Sequence, residues 1–127
     1  MITLSIPMKI FPKPRPRMGK YGNFYTPRDK REDNLESYFK EYMITNKLKP
    51  LTNNLRVDCD FYMESKSRSD LDNFIKTIFD CGNGIIWKDD KQIKSCLASI
   101  WENWKEDKII ITIEEVFDEL ATNIKTK

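Results

Sequence analysis

Residues 55–81 read LRVDCDFYMESKSRSDLDNFIKTIFDC, and their hydrophobic period changes partway along. From Leu55 to Met63, apolar and polar side chains alternate, which predicts a half-buried strand. From Ser69 to Cys81, apolar residues recur at spacings of three and four, which predicts one stripe of an amphipathic helix. We expect Ser69 to be the N-cap of this helix and residues 82–84, Gly-Asn-Gly, to end it in a left-handed cap or turn.

The flanking segments extend this pattern to the order βαβαββ. We predict a strand at Thr3–Ile10, a helix at Arg31–Lys47, and two strands at Ile93–Trp101 and Lys108–Val116 that form a hairpin. Phe117–Ile124 is a candidate short terminal helix. The expected fold is α+β, with one mixed, mostly antiparallel sheet covered by two main helices. A chain of 127 residues argues for a single domain, 1–127.

Composition narrows the chemistry that the chain can perform. There is no histidine, which excludes Ser-His-Asp and Cys-His nucleophiles as well as zinc sites with histidine ligands. The three cysteines lack a C-x-x-C spacing, and we expect Cys59 and Cys96 to be buried thiols in strands. Hydrolytic chemistry would therefore depend on carboxylates and a cation that prefers oxygen ligands.

Two further absences bear on location. No apolar run approaches the roughly 18 residues of a spanning helix. The N-terminal segment also lacks the features of a signal peptide. We therefore expect a cytoplasmic protein without a membrane partner.

The charge is distributed unevenly. Residues 1–31 hold eight of the 22 basic residues and one of the 20 acidic residues, so this part is strongly basic and the remainder is acidic. Residues 11–27 are rich in proline and glycine, with Tyr21, Phe24 and Tyr25 interleaved, which indicates a long functional loop. We call residues 11–31 the basic arm. A basic arm on an acidic body favours a polyanionic partner, although a solvated loop without a partner would look the same.

Acidic residues lie at two places that the chain could bring together. Asp70 and Asp72 stand at the start of the predicted helix, and Asp90 follows it in the segment 87–92. The helix would be about 18 Å long, and the eight residues from Gly82 to Asp89 can span up to roughly 26 Å. The chain can therefore double back to place Asp90 beside Asp70 and Asp72.

Such a cluster would suit a divalent cation, because ionised carboxylates at short range repel one another. Mg²⁺ prefers carboxylate oxygens and keeps several waters, one of which could attack a phosphodiester. Lys76 would then stabilise negative charge on the phosphate, and the preceding loop with Lys66 and Arg68 would contact phosphate. The alternative is that Asp70 and Asp72 only complement the helix dipole, and that Asp72 and Lys76 form a surface ion pair.

These motifs resemble one known family. The residues Asp70-Leu71-Asp72-Asn73-x-x-Lys76, Phe79-Asp80, Asn83-Gly84 and Trp87-x-Asp89-Asp90-x-Gln92-Ile93 are similar to those of the RusA family of Holliday junction resolvases. In the basic arm, Pro14-Arg15-Pro16-Arg17 and Tyr25-Thr26-Pro27 add to the resemblance. The family usually has a basic or bulky residue before its first catalytic aspartate, where this chain has Ser69.

The resemblance implies a homodimeric α+β endonuclease, common in phages and prophages, that cuts four-way DNA junctions in recombination and repair. It implies Mg²⁺, with Mn²⁺ as a substitute, and no organic cofactor. Asp70, Asp72 and Asp90 match the catalytic, metal-binding carboxylates, Lys76 matches the catalytic lysine, and Asp89 is a less certain metal ligand. The DNA-binding residues would be Lys13, Arg15, Arg17, Lys20, Arg28, Lys66 and Arg68.

Two other functions fit the same sequence. A non-catalytic protein that binds branched DNA would have the basic arm without needing the carboxylates. A nuclease of broader specificity would cut flaps or replication forks with the same residues.

Overall fold

The computed structural model of the protein describes residues 1–14, 16–26 and 29–117. The main elements follow the predicted βαβαββ order, and a small strand pair lies in the basic arm. The strands are β1 (Ile2–Ile6), β2 (Arg17–Met18), β3 (Phe24–Tyr25), β4 (Asn54–Tyr62), β5 (Ile93–Ser95), β6 (Ala98–Trp101) and β7 (Lys108–Val116). The helices are α1 (Lys30–Thr45) and α2 (Leu71–Gly82), with a 3₁₀ turn at Asp90–Gln92.

One mixed sheet forms the body of the protein, as predicted. Its order is β1-β7-β4-β5, with β6 also paired to β4. β7 is antiparallel to both β1 and β4, whereas β5 and β6 are parallel to β4. The α+β fold class is therefore confirmed.

The predicted hairpin between residues 93–101 and 108–116 is wrong. The first of these segments splits into β5 and β6, and both pair with β4 rather than with β7. The reason is the position of α2, which follows β4 and carries the chain back along the sheet, so that the next strand runs parallel to β4. β7 then occupies the other edge of β4, where it pairs over Asn54–Tyr62.

Both helices pack on the same face of this sheet. The alternation predicted for β4 is confirmed, since Leu55, Val57, Cys59 and Phe61 are buried and their neighbours are not. α1 contributes buried side chains through Leu35, Phe39 and Met43, and α2 through Phe74, Ile78 and Cys81. The rings of Phe61 and Phe74 meet edge to face at 5.6 Å, which fixes α2 over β4.

The basic arm is more ordered than its composition predicts. β2 and β3 pair antiparallel, and the turn between them places Gly22 at a φ of +81°. The arm is anchored by Phe11, which is buried and whose carbonyl accepts a hydrogen bond from Thr77 Oγ1 of α2 at 2.9 Å. Tyr21, Phe24 and Tyr25 nevertheless remain exposed.

Two further predictions concern a membrane-spanning helix and a terminal helix. No helix within residues 1–14, 16–26 and 29–117 is long and apolar enough to cross a membrane. Of the candidate terminal helix, Phe117 follows β7 without regular structure, and the rest lies outside the described residues.

The start of α2 differs from the prediction by one residue, and its end has the predicted left-handed turn. The N-cap is Asp70, and the C-cap Asn83 has an extended backbone with φ −60°. The left-handed residue is Gly84, at φ +77°. Gly82 is instead required by packing, because a Cβ atom there would lie 2.4 Å from Cζ2 of the buried Trp87.

We therefore expect Gly82→Ala to lower the free energy of unfolding by roughly 1–3 kcal/mol, because the indole must move to accept a methyl group. Urea denaturation with an unchanged m-value measures this loss. Ser37→Ala, an exposed position on α1, is the control and should stay within about 0.5 kcal/mol of the wild type. Equal stabilities of the two variants would contradict the packing argument.

The cysteines Cys59 and Cys96 form a pair that the sequence did not predict. Cys59 is buried as expected, but Cys96 is exposed, so the expectation of a second buried thiol is wrong. A hydrogen bond between the two side chains, together with burial, raises the pKa of Cys59 well above its usual value. The same hydrogen bond lowers the pKa of Cys96. The directions of the two shifts make Cys59 the donor in this hydrogen bond, which therefore favours the thiolate form of Cys96.

A thiol with a lowered pKa holds more thiolate at a given pH, and thiolate is the nucleophile. We expect Cys96 to be alkylated before Cys59 and Cys81, with a pH–rate profile displaced to lower pH than that of an ordinary exposed cysteine. Cys59→Ala should move this profile to higher pH, because the donor is lost. Peptide mass spectrometry after timed alkylation measures both, with Cys81→Ala as the control that leaves the profile in place.

Candidate metal and DNA site

Asp70 and Asp72 lie at the entrance of α2, where the sequence placed them. Asp70 has an extended backbone at the N-cap, yet its carboxylate makes no capping hydrogen bond. Asp72 lies in the first turn, and both side chains are exposed. Neither carboxylate therefore caps the helix, so the oxygens of both remain available as metal ligands.

Lys76 lies one turn further along α2 and is also exposed. Residues four apart share a helix face, so Lys76 stands on the same side as Asp72. Among the ion pairs of the described residues, none joins Asp72 to Lys76, so the alternative of a surface pair is wrong. The ammonium group of Lys76 is therefore available for an incoming anion.

Asp90 is held at the opposite end of α2. Its Oδ2 accepts a hydrogen bond from Nδ2 of Asn83, the C-cap residue, at 3.2 Å. The Oδ1 of Asn83 in turn accepts from Nε1 of Trp87 at 3.1 Å. Asn83 thus orients the half-buried Asp90 carboxylate, a role that sequence reasoning missed although Asn83-Gly84 was part of the motif.

The expectation that one chain brings Asp90 beside Asp70 and Asp72 is wrong. From Asp70 to Asn83 the helix advances by about 20 Å, whereas two oxygens on one Mg²⁺ are at most about 4 Å apart. Within the described part of the chain, no three acidic or cysteine side chains are close enough to hold a metal ion.

The physical reason is a tight turn after α2. The amides of Ile85 and Ile86 donate to the carbonyl of Gly82 at 3.0 and 2.9 Å, and Gly84 donates to Trp87 at 2.7 Å. The segment after α2 therefore forms a compact turn and does not extend back along the helix. The extended length of the segment gives only the maximum distance that it can span, and the hydrogen bonds of the turn keep the actual distance well below this maximum.

Asp89 has a structural role. Its Oδ1 accepts from the amide of Lys91 at 2.9 Å, and its own amide donates to Oε1 of Gln92 at 2.9 Å. This capping box closes the 3₁₀ turn, and the Gln92 amide also donates to the carbonyls of Leu51 and Asn53. The Asp89 carboxylate is therefore committed to the backbone that positions Asp90.

We expect Asp89→Ala to lower the free energy of unfolding by about 0.5–2 kcal/mol, because the capping acceptor is lost. Asp89→Asn keeps an oxygen acceptor and should remain close to the wild type. Chemical denaturation measures both. A loss of the same size in Asp89→Asn would mean that the negative charge, rather than the cap, matters at this position.

The basic residues fall into two groups. Lys13 is tied to the body, with its Nζ 3.6 Å from Glu32 and 3.5 Å from Asp80, so its charge is largely compensated. Lys20, Lys66 and Arg68 are exposed, and no ion pair joins them to another described residue. Arg15 and Arg28 lie outside the described residues, and of Arg17 only the backbone in β2 is described.

An α+β domain with exposed carboxylates beside uncompensated basic side chains suits a protein that acts on a polyanion such as DNA. The family model of endodeoxyribonuclease RusA matches residues 7–114. The chain belongs to this family of Holliday junction endodeoxyribonucleases, which are hydrolases acting on phosphodiester bonds. The resemblance seen in the sequence motifs is thereby confirmed. A search of curated proteins found no match to this chain.

Proposed function

We propose that the protein resolves four-way DNA junctions by paired, Mg²⁺-dependent cleavage, and that two copies of the chain build each active site. Asp70 and Asp72 of one protomer would act with Asp90 of the partner subunit. The observation that carries this proposal is the length of α2, which separates these carboxylates within one chain. Each chain nevertheless presents an exposed acidic pair at one end of the helix and a positioned aspartate at the other.

The surface of α2 supports a two-fold arrangement. Asp72, Ile75, Phe79 and Asn83 are spaced three and four apart, so they share one face of the helix. Ile75 and Phe79 are only partly buried by their own chain. Two such helices packed antiparallel about a two-fold axis would cover these apolar side chains. They would also bring the entrance of each α2 to the end of its partner.

The donor set fits a hard divalent cation. All three carboxylates supply oxygen, and Asp70 and Asp72 lack described hydrogen-bond partners that would compete with a metal. When bound, Mg²⁺ or Mn²⁺ would lower the pKa of a water molecule and stabilise charge on the phosphate. Asn83 would hold Asp90 in orientation, and the Lys76 ammonium would stabilise negative charge on the phosphate oxygens.

Substrate binding would rest on the uncompensated basic side chains. Lys20, Lys66 and Arg68, with the arm residues Arg15, Arg17 and Arg28, would contact phosphates in a salt-dependent and sequence-independent way. The exposed aromatic rings of the arm could stack on bases opened at the crossover. A two-fold dimer matches the approximate two-fold symmetry of the junction, so the two sites would make symmetric cuts. Three free cysteines fit a reducing cytoplasm.

We expect Asp70→Asn to reduce cleavage of a synthetic four-way junction by on the order of 10³-fold, because a metal ligand is lost. Junction binding should persist or tighten, because a negative charge facing phosphate is removed. Asp90→Asn should behave in the same way. The matched control is Asp89→Asn, which keeps the cap and should cleave at close to the wild-type rate.

Mixing the two inactive variants tests whether the sites are shared. In a dimer of one Asp70→Asn chain and one Asp90→Asn chain, one composite site has lost both aspartates and the other is intact. Co-refolded mixtures should therefore recover single-strand nicking of the junction, whereas neither variant alone should nick. If each site were built within one chain, the mixture would stay inactive.

The junction-cleavage assay also tests the two alternative functions, a nuclease of broader specificity and a non-catalytic DNA-binding protein. Comparison of junctions, forks, flaps and linear duplex measures substrate preference in Mg²⁺ and in EDTA. Equal cleavage of forks and junctions would favour a broader nuclease. Junction binding without cleavage in Mg²⁺ or Mn²⁺ would favour a non-catalytic DNA-binding protein.

A further inference from the structure

A concave cavity of about 650 Å³ opens beside the entrance of α2. Its lower part is apolar, formed by Ile10, Pro12, Met63 and Phe74. Ile10, Met63 and Phe74 belong to the buried core, so this floor is rigid. A rigid apolar floor of this kind gives a flat, uncharged ligand group a surface to lie on.

The rim of the cavity is strongly basic. Lys9, Lys66 and Arg68 line it, and no described ion pair compensates them. Lys9 Nζ donates to Oγ of Ser65 at 3.1 Å, and both residues line the cavity. Arg31 also lines the cavity, but it binds Asp29 at 2.7 Å, and this hydrogen bond lowers the pKa of the Asp29 carboxyl.

We propose that this cavity receives one nucleotide of the junction that has turned out of its base stack. The base would lie on the apolar floor, and the flanking phosphates would contact the basic rim. A surface that recognised only phosphates would need the basic rim but no apolar floor. A nucleotide has both phosphates and a base, so it would use both parts of the cavity. Lys9 would then be a DNA-binding residue, although its position in the sequence gave no indication of this role.

The cavity also lies next to the proposed chemistry, and this inference rests on the proposed function. Ser69 lines the cavity, and the following residue is Asp70. The nucleotide in the cavity would therefore adjoin the phosphate that is cut. Base pairs at the crossover are the cheapest to open, since the cost of unpairing is lowest where stacking is already interrupted. The cavity would couple cleavage to the branch point and contribute sequence preference there.

A fluorescent base tests this inference without cleavage. 2-Aminopurine is placed at successive positions around the crossover of a synthetic junction, and wild-type protein is added in EDTA. Emission should rise severalfold at one position on each of two symmetry-related strands, because the base leaves its stack. Ser65→Trp should fill the cavity and reduce this rise at least about fivefold, the equivalent of losing one modest base contact.

Two controls separate the cavity from general damage. Ser37→Trp adds the same ring at an exposed site of α1 and should leave the signal in place. Lys9→Gln should lower the slope of log affinity against log salt by about 1.8, because the proposed dimer loses two phosphate contacts worth about 0.9 each. Lys40→Gln, at an exposed lysine of α1, should change neither the slope nor the emission. Circular dichroism verifies that each variant is folded.

The results distinguish the cavity from the function. If no position brightens with wild type, or if Ser65→Trp brightens equally, the cavity proposal is overturned even where Mg²⁺-dependent cleavage occurs. If one position brightens and the signal disappears in Ser65→Trp, the cavity proposal holds even where no cleavage occurs and the proposed function fails. If the protein does not bind the junction, both are wrong.

Discussion

The contact between the Trp87 indole and the backbone of α2 at Gly82 determines where the chain goes after the helix. The ring is fully buried and its Nε1 donates to the carbonyl of Phe79 at 3.2 Å as well as to Asn83. Because Gly82 has no side chain, the indole can lie against the helix and close the turn. The 3₁₀ turn follows, so this packing contact, together with the hydrogen bonds of Asn83, Asp89 and Gln92, positions Asp90.

That constraint explains why the carboxylates of the family motif stand apart within one chain. A helix of 12 residues is stiff, and its two ends cannot approach each other. The turn closed by Trp87 keeps Asp90 at one end, while the start of α2 keeps Asp70 and Asp72 at the other. In the proposed dimer, an antiparallel pair of stiff helices would place the start of each α2 beside the end of its partner. This sharing would also restrict cleavage to dimers, which could cut both strands of a junction in one encounter.

Local periodicity was sufficient to predict the elements but not their partners. The change of period between Leu55–Met63 and Ser69–Cys81 located β4 and α2 to within two residues, because burial on one face dictates both patterns. The pairing of residues 93–101 was wrong, because a short polar turn suggests a hairpin whereas the crossover through α2 imposes a parallel strand. The predicted position of Asp90 was also wrong. The maximum span of a segment does not take account of its hydrogen bonds, and these fold residues 82–87 into a tight turn. The motif predicts which residues act together, and a comparison of sequences gives no indication of which chain would supply each one.

The basic side chains divide into those held in ion pairs within the protein and those that remain available to a ligand. The basic arm is attached to the body by Phe11 and by the ion pairs of Lys13 with Glu32 and Asp80, which join the arm, α1 and α2. Ion pairs of this kind hold an element in place and leave little charge for a ligand. Lys66 and Arg68 lie on the loop that leads into α2 and keep their charge, next to the aspartates that would repel DNA. In the proposed complex, these basic side chains would offset the repulsion between the aspartates and an approaching phosphate. The family motif places acids at this helix entrance, and the preceding loop makes them accessible to a polyanion.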